Sequence, residues 1–347
     1  MRVLQVDSGR EWRGGQQQVW LLSRELCRAG DGQGPVEQIL VTRTDSELAR
    51  RASADGITVR GTAWEIGLDP RAWWHLRRTI AAFQPDIIHV HDSHALTLAS
   101  TLAMSRVLVA TRRVDFHVGR FGAWRRPDRI IAVSNAVKEI LIHDGLVADA
   151  ITVVHDGIDP DAVRQAATPP LDIRNRLHVL ETTPLALNAA ALVDHKDQST
   201  LVRAAHYARS LEPDLHWLVA GEGPLRSRLE REIVRLDLAD RVHLLGYVDR
   251  IEALIAEANV FVMSSKEEGL GSVILNALAL GRPVAATAAG GIPEILPAEV
   301  LVPVGSADAL AKKVVDVLRQ PVQVPFPPSF SARAMAEQVL AVYQALS

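Results

Sequence analysis

"SSKEEGLGSVILNALALGRPVAATAAGGIPE", residues 264–294, sets two carboxylates before a Gly-x-Gly turn and follows them with an apolar run broken by one amide, Asn276. The preceding "NVFVMSS" (259–265) has the β-branched, apolar composition of a buried strand. Residues 266–271 therefore fall at the carboxyl end of a strand, where open α/β sheets bind their ligands. Gly269 and Gly271 permit backbone conformations closed to other residues and let a ligand come close. Ser272 is placed to start the next helix and Gly281 to stop it. The free amides of that first turn suit a phosphate, whereas Glu268 would repel a bare anion. A ligand with hydroxyls beside its phosphate, such as a sugar nucleotide, satisfies both. Asn276 is read either as a ligand contact or as an amide bonded to neighbouring backbone, since a buried amide without a partner costs about 1–3 kcal/mol. Glu267 and Glu268 are, on the same plain reading, a solvated pair.

Outward from this stretch, short apolar runs alternate with longer amphipathic ones, the pattern of parallel α/β sheets. "RVLQVD" (2–7), "EQILVT" (37–42), "DIIHVH" (86–91), "RVLVATR" (106–112), "RIIAVS" (129–134) and "ITVVHDG" (151–157) read as strands. Helices are expected over 14–30, ended by Gly30, around 47–52, and over 135–145, ended by Gly145. The pattern then restarts, with strands at 184–192, 215–223, 241–247 and 259–265 and helices at 197–211, 224–238 and 250–258. "QAATPPLD" (165–172) has the Pro-Pro of a linker. A second proline cluster (320–330) precedes a last helix over 331–346. The expectation is two doubly wound, Rossmann-like domains, 1–165 and 166–330, facing each other across a cleft.

Composition agrees with this division. A chain of 347 residues exceeds what one core usually serves. Hydrophobic residues at 48% and charged ones at 23% describe an ordinary globular protein, and a net charge of −3 argues against a nucleic-acid partner. The single cysteine, Cys27, excludes an internal disulfide and a multi-cysteine metal site; its place in the first helix reads as a small buried hydrophobe. The opening "MRVLQVDSG" is too short and polar for a secretory leader. No apolar stretch reaches the length of a membrane span. A cytoplasmic protein is expected, with peripheral contact to the inner membrane left open.

The stretch at 264–294 resembles the E-x7-E segment of retaining GT-B glycosyltransferases of family 4 (glycosyl transferase group 1), of the type that builds lipopolysaccharide. Glu268 matches the first acid and Gly269 and Gly271 the glycines, while Asn276 stands where the second acid belongs. "GREWRGGQQQ" resembles the family's glycine loop after strand one, with Gly14 and Gly15 toward the donor diphosphate. "PDIIHVHDSHAL", "DRIIAVSNAVKEIL" and "VVHDGID" are similar to its acceptor-side domain. "ALVDHKD", "VAGEGPLRSRLE", "RVHLLGYVD" and "AAGGIPEIL" are similar to its nucleotide half.

The resemblance implies a sugar moved from a nucleotide-diphosphate sugar to an acceptor hydroxyl with the anomeric configuration kept. UDP, GDP and ADP are all open as the nucleotide. It implies a glycan or glycolipid of the bacterial envelope as the acceptor. It implies Glu268, Lys196 and Arg113 as catalytic residues, with Lys196 and the amides of 269–271 meeting the departing diphosphate. Donor contacts would come from Gly14, Gly15, Lys196, Gly221, Gly246, Tyr247, Val248, Glu268, Gly269, Leu270, Gly271 and Asn276. His91, Arg112, Arg113 and His117 would face the acceptor. It also implies a last helix (331–347) packing back on the first domain and no cofactor; no acidic pair such as Asp-x-Asp stands in a fitting setting, so no metal is expected. Three positions depart from the family pattern: Asn276 for the second acid, Ala191 for the arginine of the diphosphate clamp, and Arg113 for an active-site histidine.

Other features have plainer readings beside the functional ones. Gly221 and Gly223 in "GEGP" can equally shape a turn. His89, His91 and His94 form an H-x-H-x-x-H series, read as lining a cleft because no cysteine or carboxylate cluster completes a metal set; His89 is expected in the core. "RRVDFHVGRFGAWRRPDR" (112–129) and "WWHLRR" (73–78) form either a basic aromatic surface suited to an anionic membrane or a solvated loop whose aromatics pack inward. The rival functions are an epimerase, hydrolase or phosphorylase of the same fold, and a non-catalytic sugar-nucleotide sensor.

Overall fold

The computed structural model describes residues 1–33, 36–65, 67–104, 106–119 and 121–346, with side chains omitted at 29–33. Two compact units emerge, Met1–Ile158 with Pro328–Ser347, and Asp159–Pro327.

The first unit runs β1 (Arg2–Val6), α1 (Gly14–Gln33), β2 (Glu37–Arg43), α2 (Glu47–Ala54), β3 (Thr58–Thr62), α3 (Pro70–Phe83), β4 (Ile87–Val90), α4 (Ser93–Ala99), β5 (Val107–Arg112), β6 (Arg129–Ala132), α5 (Asn135–His143) and β7 (Ile151–Val153). Its strands form one parallel sheet in the order β3-β2-β1-β4-β5-β6-β7. The winding reverses between β1 and β4, so the crevice outside their carboxyl ends is where such a sheet holds a ligand. Strand β4 is buried along its whole length, as a sheet covered on both faces requires. Helices begin where short polar side chains accept amide protons: Ser46, Asp69, Asp92 and Ser134 cap α2, α3, α4 and α5.

The second unit runs α6 (Pro160–Ala166), α7 (Ile173–Arg176), β8 (Leu185–Ala189), α8 (Gln198–Ala208), β9 (His216–Ala220), α9 (Arg226–Arg235), β10 (Val242–Gly246), α10 (Ile251–Glu257), β11 (Val260–Met263), α11 (Val273–Ala279), β12 (Val284–Thr287), β13 (Leu301–Val302) and α12 (Ala307–Arg319). Its parallel sheet has the order β10-β9-β8-β11-β12-β13, reversing between β8 and β11. The fully buried Trp217 joins residues of α8, α9 and α12 in the core on one face.

Helix α13 (Ala332–Gln344) packs on α1 within the first unit. Its Tyr343 is completely buried, and its hydroxyl lies 2.6 Å from His89 Nδ1. Gly157 lets this segment close in, since a Cβ there would lie 2.5 Å from the Ser331 carbonyl oxygen. His89 is thus a core residue, with Thr111 Oγ1 at 2.7 Å on its other nitrogen.

Several sequence expectations need correction. Helix α1 continues past Gly30 to Gln33, the polar residues there extending an established helix. Cys27 is exposed, on the outer side of α1, and receives a hydrogen bond from Gln38 Nε2 at 3.0 Å. A division at 165/166 would leave α6 with the first unit, but α6 packs on α10 and α11, and Arg164 Nε donates to the Ala279 carbonyl at 3.2 Å. The Pro-Pro stretch is not a free linker: Glu257 accepts from the amides of Leu171 and Ile173, and Arg174 donates to Asn259 Oδ1 at 2.7 Å. Ser272 occupies the cap position of α11 without a side-chain cap bond. Strands β3, β12 and β13 and helices α3, α4, α6, α7 and α12 lie outside the sequence expectations.

Candidate functional site

In the second unit, the carboxyl ends of β8 and β11, neighbours at the winding reversal, each deliver one charged side chain. A tight turn after β8 (Asp194–Lys196) presents Lys196, and the loop after β11 presents Glu268. Lys196 Nζ lies 2.5 Å from Glu268 Oε2, with both side chains largely out of solvent, at 19% and 10% exposure. Ser265 Oγ donates to the same carboxylate oxygen at 3.2 Å. The two loops are stitched together by main chain: the His195 carbonyl accepts from Lys266 N at 2.8 Å and Glu267 N at 3.3 Å. Ser264 Oγ donates to the Lys196 carbonyl at 3.1 Å.

A third loop, after β12, fixes Glu268 from the other side. Gly291 N donates to the Glu268 carbonyl at 3.0 Å, and a Cβ on Gly290, whose φ is +48°, would sit 1.8 Å from that oxygen. Only glycine fits there. Gly271 adopts φ +85°, whereas Gly269 has no positive φ, so the special conformation belongs to the second glycine of the turn alone. Leu270 is buried. Glu267 is exposed and Glu268 is not, so the two acids are not a solvated pair.

Asn276 is buried on α11, and its Nδ2 donates to Glu252 Oε1 on α10 at 3.4 Å. The partner is a side chain, not neighbouring backbone. Gly221 and Gly223 have packing reasons of their own: added Cβ atoms would lie 2.0 Å from the Ala190 carbonyl oxygen and 2.4 Å from that of Leu192. Gly246 (φ +75°) ends β10 at a bulge, and its carbonyl accepts from Gly221 N at 2.8 Å. Tyr247 is exposed and Val248 half-buried beyond it. Ala191 is exposed. A cation the sequence reading passed over, Lys266, lies 3.5 Å from Asp197 Oδ1.

The first unit gathers a second polar cluster at the ends of β1, β4, β5 and β7. Arg113 Nε donates to Asp156 Oδ1 at 3.1 Å, and its Nη1 lies 3.4 Å from His91 Nδ1. His91 Nε2 in turn lies 2.6 Å from Gln5 Oε1. Burial holds the His91 imidazole well below its ordinary titration range, with His89 and Arg113 adding to the effect, so the ring is neutral. Burial raises Asp156, and Arg113 opposes it.

Asp7 directly follows β1. It accepts from Gly9 N at 2.9 Å and from Gln16 Nε2 at 3.3 Å. Asp92, after β4, accepts from Ser8 N at 2.7 Å, Ser8 Oγ at 2.6 Å and the amides of His94 and Ala95. Burial first, then the charge of Asp92, pushes the Asp7 carboxyl up to about 7. Gly14 and Gly15 open α1 beside Gln16, with no atom within 4 Å of an added Cβ, so packing does not demand glycine there. Sequence reading missed Asp7, Asp92 and Asp156, because a lone acid after a strand carries no local pattern.

The remaining predicted residues sit elsewhere. Arg112 is buried, stacked 4.9 Å from the Trp124 ring, and donates Nη2 to the Phe116 carbonyl at 2.6 Å. It anchors the following loop. His117 is exposed and pairs with Asp144 at 2.7 Å, apart from the His91–Arg113 cluster. Among the described residues no three His, Cys, Asp or Glu side chains converge as a metal site. The alternatives for the aromatics divide: Trp73 and Trp124 pack on the core, while Trp74, Phe116 and Phe121 face solvent. Arg120, in the same segment, lies outside the described residues.

Two family models divide the chain as the fold does. The model of glycosyl transferases group 1 matches residues 171–335, and that of Glycosyltransferase Family 4 matches 12–162. The chain belongs to the group 1 glycosyltransferases. Among similar proteins, a GDP-mannose-dependent monoacylated alpha-(1-6)-phosphatidylinositol monomannoside mannosyltransferase of Corynebacterium glutamicum is 35% identical over 162 residues, covering 43% of this chain and 42% of that one. The chain therefore aligns with less than half of that relative. A 2-deoxystreptamine glucosyltransferase of Streptomyces kanamyceticus is 28% identical over 80% of this chain and 72% of its own. Anabaena HepE, solved in complex with UDP and glucose, has a TM-score of 0.78 at 20% identity over 100% of this chain and 98% of that one. That likeness gives this glycosyltransferase its GT-B fold. No helix among the described residues is long and apolar enough to cross a membrane.

The Asp7 environment sets a pH dependence. A carboxyl raised from 3.8 to about 7 on folding binds its proton more tightly in the folded state. Its favourable contribution is complete below pH 4 and is lost as the pH rises through 7. Asp7→Asn should therefore be more stable than the parent at pH 8, on the order of 2 kcal/mol, with the gap closing toward pH 4. Urea unfolding across that range measures it; a gap independent of pH would contradict the assignment.

Proposed function

We propose that this glycosyltransferase moves a sugar from a nucleotide-diphosphate sugar to a hydroxyl of a glycan or glycolipid, retaining the anomeric configuration, in the synthesis of a bacterial envelope polysaccharide such as lipopolysaccharide. The observation that carries the reading is the Lys196–Glu268 pair at the β8 and β11 ends. It lies inside the segment that matches the group 1 model.

The chemistry follows from charge. As the glycosidic bond breaks, the diphosphate gains negative charge, and donors fixed in place beforehand stabilise it most. Lys196 and the amides around Gly271 take that role, and the scheme requires no metal ion. Glu268, held by Lys196, Ser265 and the Gly290–Gly291 loop, accepts from the sugar hydroxyls and orients the ring. A diphosphate that engages Lys196 loosens the ion pair and leaves the carboxylate free to bind those hydroxyls more strongly. Asn276 can donate and accept at a ribose hydroxyl without charge. The first unit then holds the acceptor near His91 and Arg113, with the neutral imidazole oriented by Gln5. UDP, GDP and ADP remain the candidate nucleotides; HepE was solved with UDP, and the mannosyltransferase is named for GDP-mannose.

Peripheral membrane contact belongs to the same reading. Phe116 and Phe121 are exposed at 46% and 90%, with Arg125 and Arg126 exposed in the same segment. Aromatic and basic side chains together suit an anionic headgroup layer. A sensor that binds the nucleotide sugar without turnover is the second reading, favoured by Ala191 and Asn276.

Incubation with UDP-, GDP- and ADP-sugars should release one nucleotide, and the product anomer seen by NMR should match the donor. Glu268→Ala should lower the release roughly 10²–10³-fold. Binding without release from any donor would favour the sensor. For the membrane, sedimentation with phosphatidylglycerol-containing vesicles at low salt should carry the protein down, and Phe121→Ser should weaken it; no sedimentation would end that part of the proposal.

A further inference from the structure

The first unit carries a cavity of about 600 Å³ away from both charged clusters, lined by Thr44, Gly61, Thr62, Ala63, Pro70, Arg71, Trp74 and His75. Its floor comes from the carboxyl ends of β2 and β3, drawn close because Gly61 has no Cβ to meet Thr44, which would lie 3.0 Å away. Its wall is the first turns of α3. Asp69 fixes that wall: completely out of solvent, it caps α3 through the Arg71 amide at 2.9 Å and holds the Arg71 guanidinium at 3.1 Å.

The lining chemistry is specific. Trp74 is the aromatic surface, and Arg78, which does not line the cavity, covers one face of its indole. The polar groups are the hydroxyls of Thr44 and Thr62 and the His75 ring, whose Nε2 is buried with no hydrogen-bond partner. Arg71, the one lining cation, is neutralised by Asp69. A flat apolar face with a few hydroxyls, no net charge and this volume fits a neutral ring with one C–H face and a polar edge. Thr62 Oγ1 donates to the Ala63 carbonyl at 3.3 Å, but an alkyl chain would cover the Thr44 hydroxyl and leave His75 Nε2 without a partner. A phosphate would find no free cation among the lining residues.

Position ties the cavity to the reaction. Strand β3 lies two strands from β1, ~10 Å along the sheet at ~4.8 Å per strand. The loop leading to α3 also touches the β4 end, because a Cβ on Gly67 would lie 3.1 Å from the ring of His94, in the first turn of the helix that Asp92 caps. The floor of the cavity and the Asp7–Asp92 crevice thus open on the same edge of one sheet.

We propose that this cavity is a subsite for a neutral pyranose ring of the acceptor, stacked on Trp74 and remote from the reacting hydroxyl. The inference rests on the glycosyltransferase reading and adds to it that the acceptor already bears a saccharide before this enzyme acts. A lipid phosphate alone does not fill the site. The enzyme then follows another glycosyl transfer, the class of reaction that supplies such an acceptor.

The test needs no donor and no turnover. Tryptophan indole N–H signals of the full chain are followed by NMR, with the Trp74 signal identified by its loss in Trp74→Ala. Methyl α-D-glucopyranoside, methyl α-D-galactopyranoside, methyl α-D-mannopyranoside and methyl N-acetyl-α-D-glucosaminide are titrated separately, with inorganic phosphate and 1-hexanol as controls. At least one pyranoside should shift the Trp74 signal saturably. Saturation-transfer NMR should show binding weakened about tenfold in Trp74→Ala and little changed in Trp74→Phe. No response to any pyranoside, or a response to hexanol or phosphate alone, overturns the proposal. The parent reading is judged separately by nucleotide release, so release with a silent Trp74 sinks only the subsite, and a responsive Trp74 without release sinks only the transfer.

Discussion

The pairing of Lys196 with Glu268 is the constraint on which the second unit is organised. Two opposite charges nearly out of water hold each other 2.5 Å apart at the point where the sheet reverses. A buried ion pair adds little to stability, because removing both charges from water offsets most of their attraction. In the proposed reaction, a ligand that takes both partners at once would offset that cost. A nucleotide-diphosphate sugar is such a ligand, with phosphate for the ammonium and hydroxyls for the carboxylate. The surrounding loops fit this role: the His195 carbonyl holds the amides of Lys266 and Glu267, Gly291 N holds the Glu268 carbonyl, and Gly290 lies against that carbonyl.

The first unit solves a different electrostatic problem with the same topology. Near its reversal point Asp7, His91 and Asp156 are buried and, with Asp92 and Arg113, joined by hydrogen bonds to one another or to neighbouring groups. Where the family pattern has a histidine, Arg113 brings a permanent cation, and Asp156 cancels it. Arg113 and Asp156 balance, the imidazole is neutral, and Asp92 with the partly ionised Asp7 leaves the cluster acidic near pH 7. Such a surface offers carboxylate acceptors to hydroxyls and repels an anion, in keeping with the saccharide proposed for the cavity beyond β3.

Sequence reading reached the fold where burial leaves a periodic trace. Strands β4, β8, β9, β11 and β12 are buried from end to end, and four of them were plain as apolar runs; β12, "VAAT", is too small and alanine-rich to stand out. Edge strand β3, "TVRGT", is mostly solvent-facing and shows no alternation. Gly30 misled because a stop signal is a local preference that a long packed helix overrides. Lys196 and Glu268 were legible through the family segments around them, although their contact spans 72 positions. Asp7, Asp92 and Asp156 were not, since only the strand order brings them to one edge. Cys27 was misplaced because the apolar stripe of α1 passes beside it.

Calorimetric titration of the free nucleotide diphosphate and of its sugar conjugate, against Lys196→Ala and Glu268→Ala, tests the central claim most directly. Loss of the ammonium should weaken both ligands alike, at least tenfold. Loss of the carboxylate should weaken the sugar conjugate while leaving the free diphosphate unchanged or tighter, because Lys196 is then released to the phosphate. If both variants bind both ligands as the parent does, the pair serves the fold alone and the account fails.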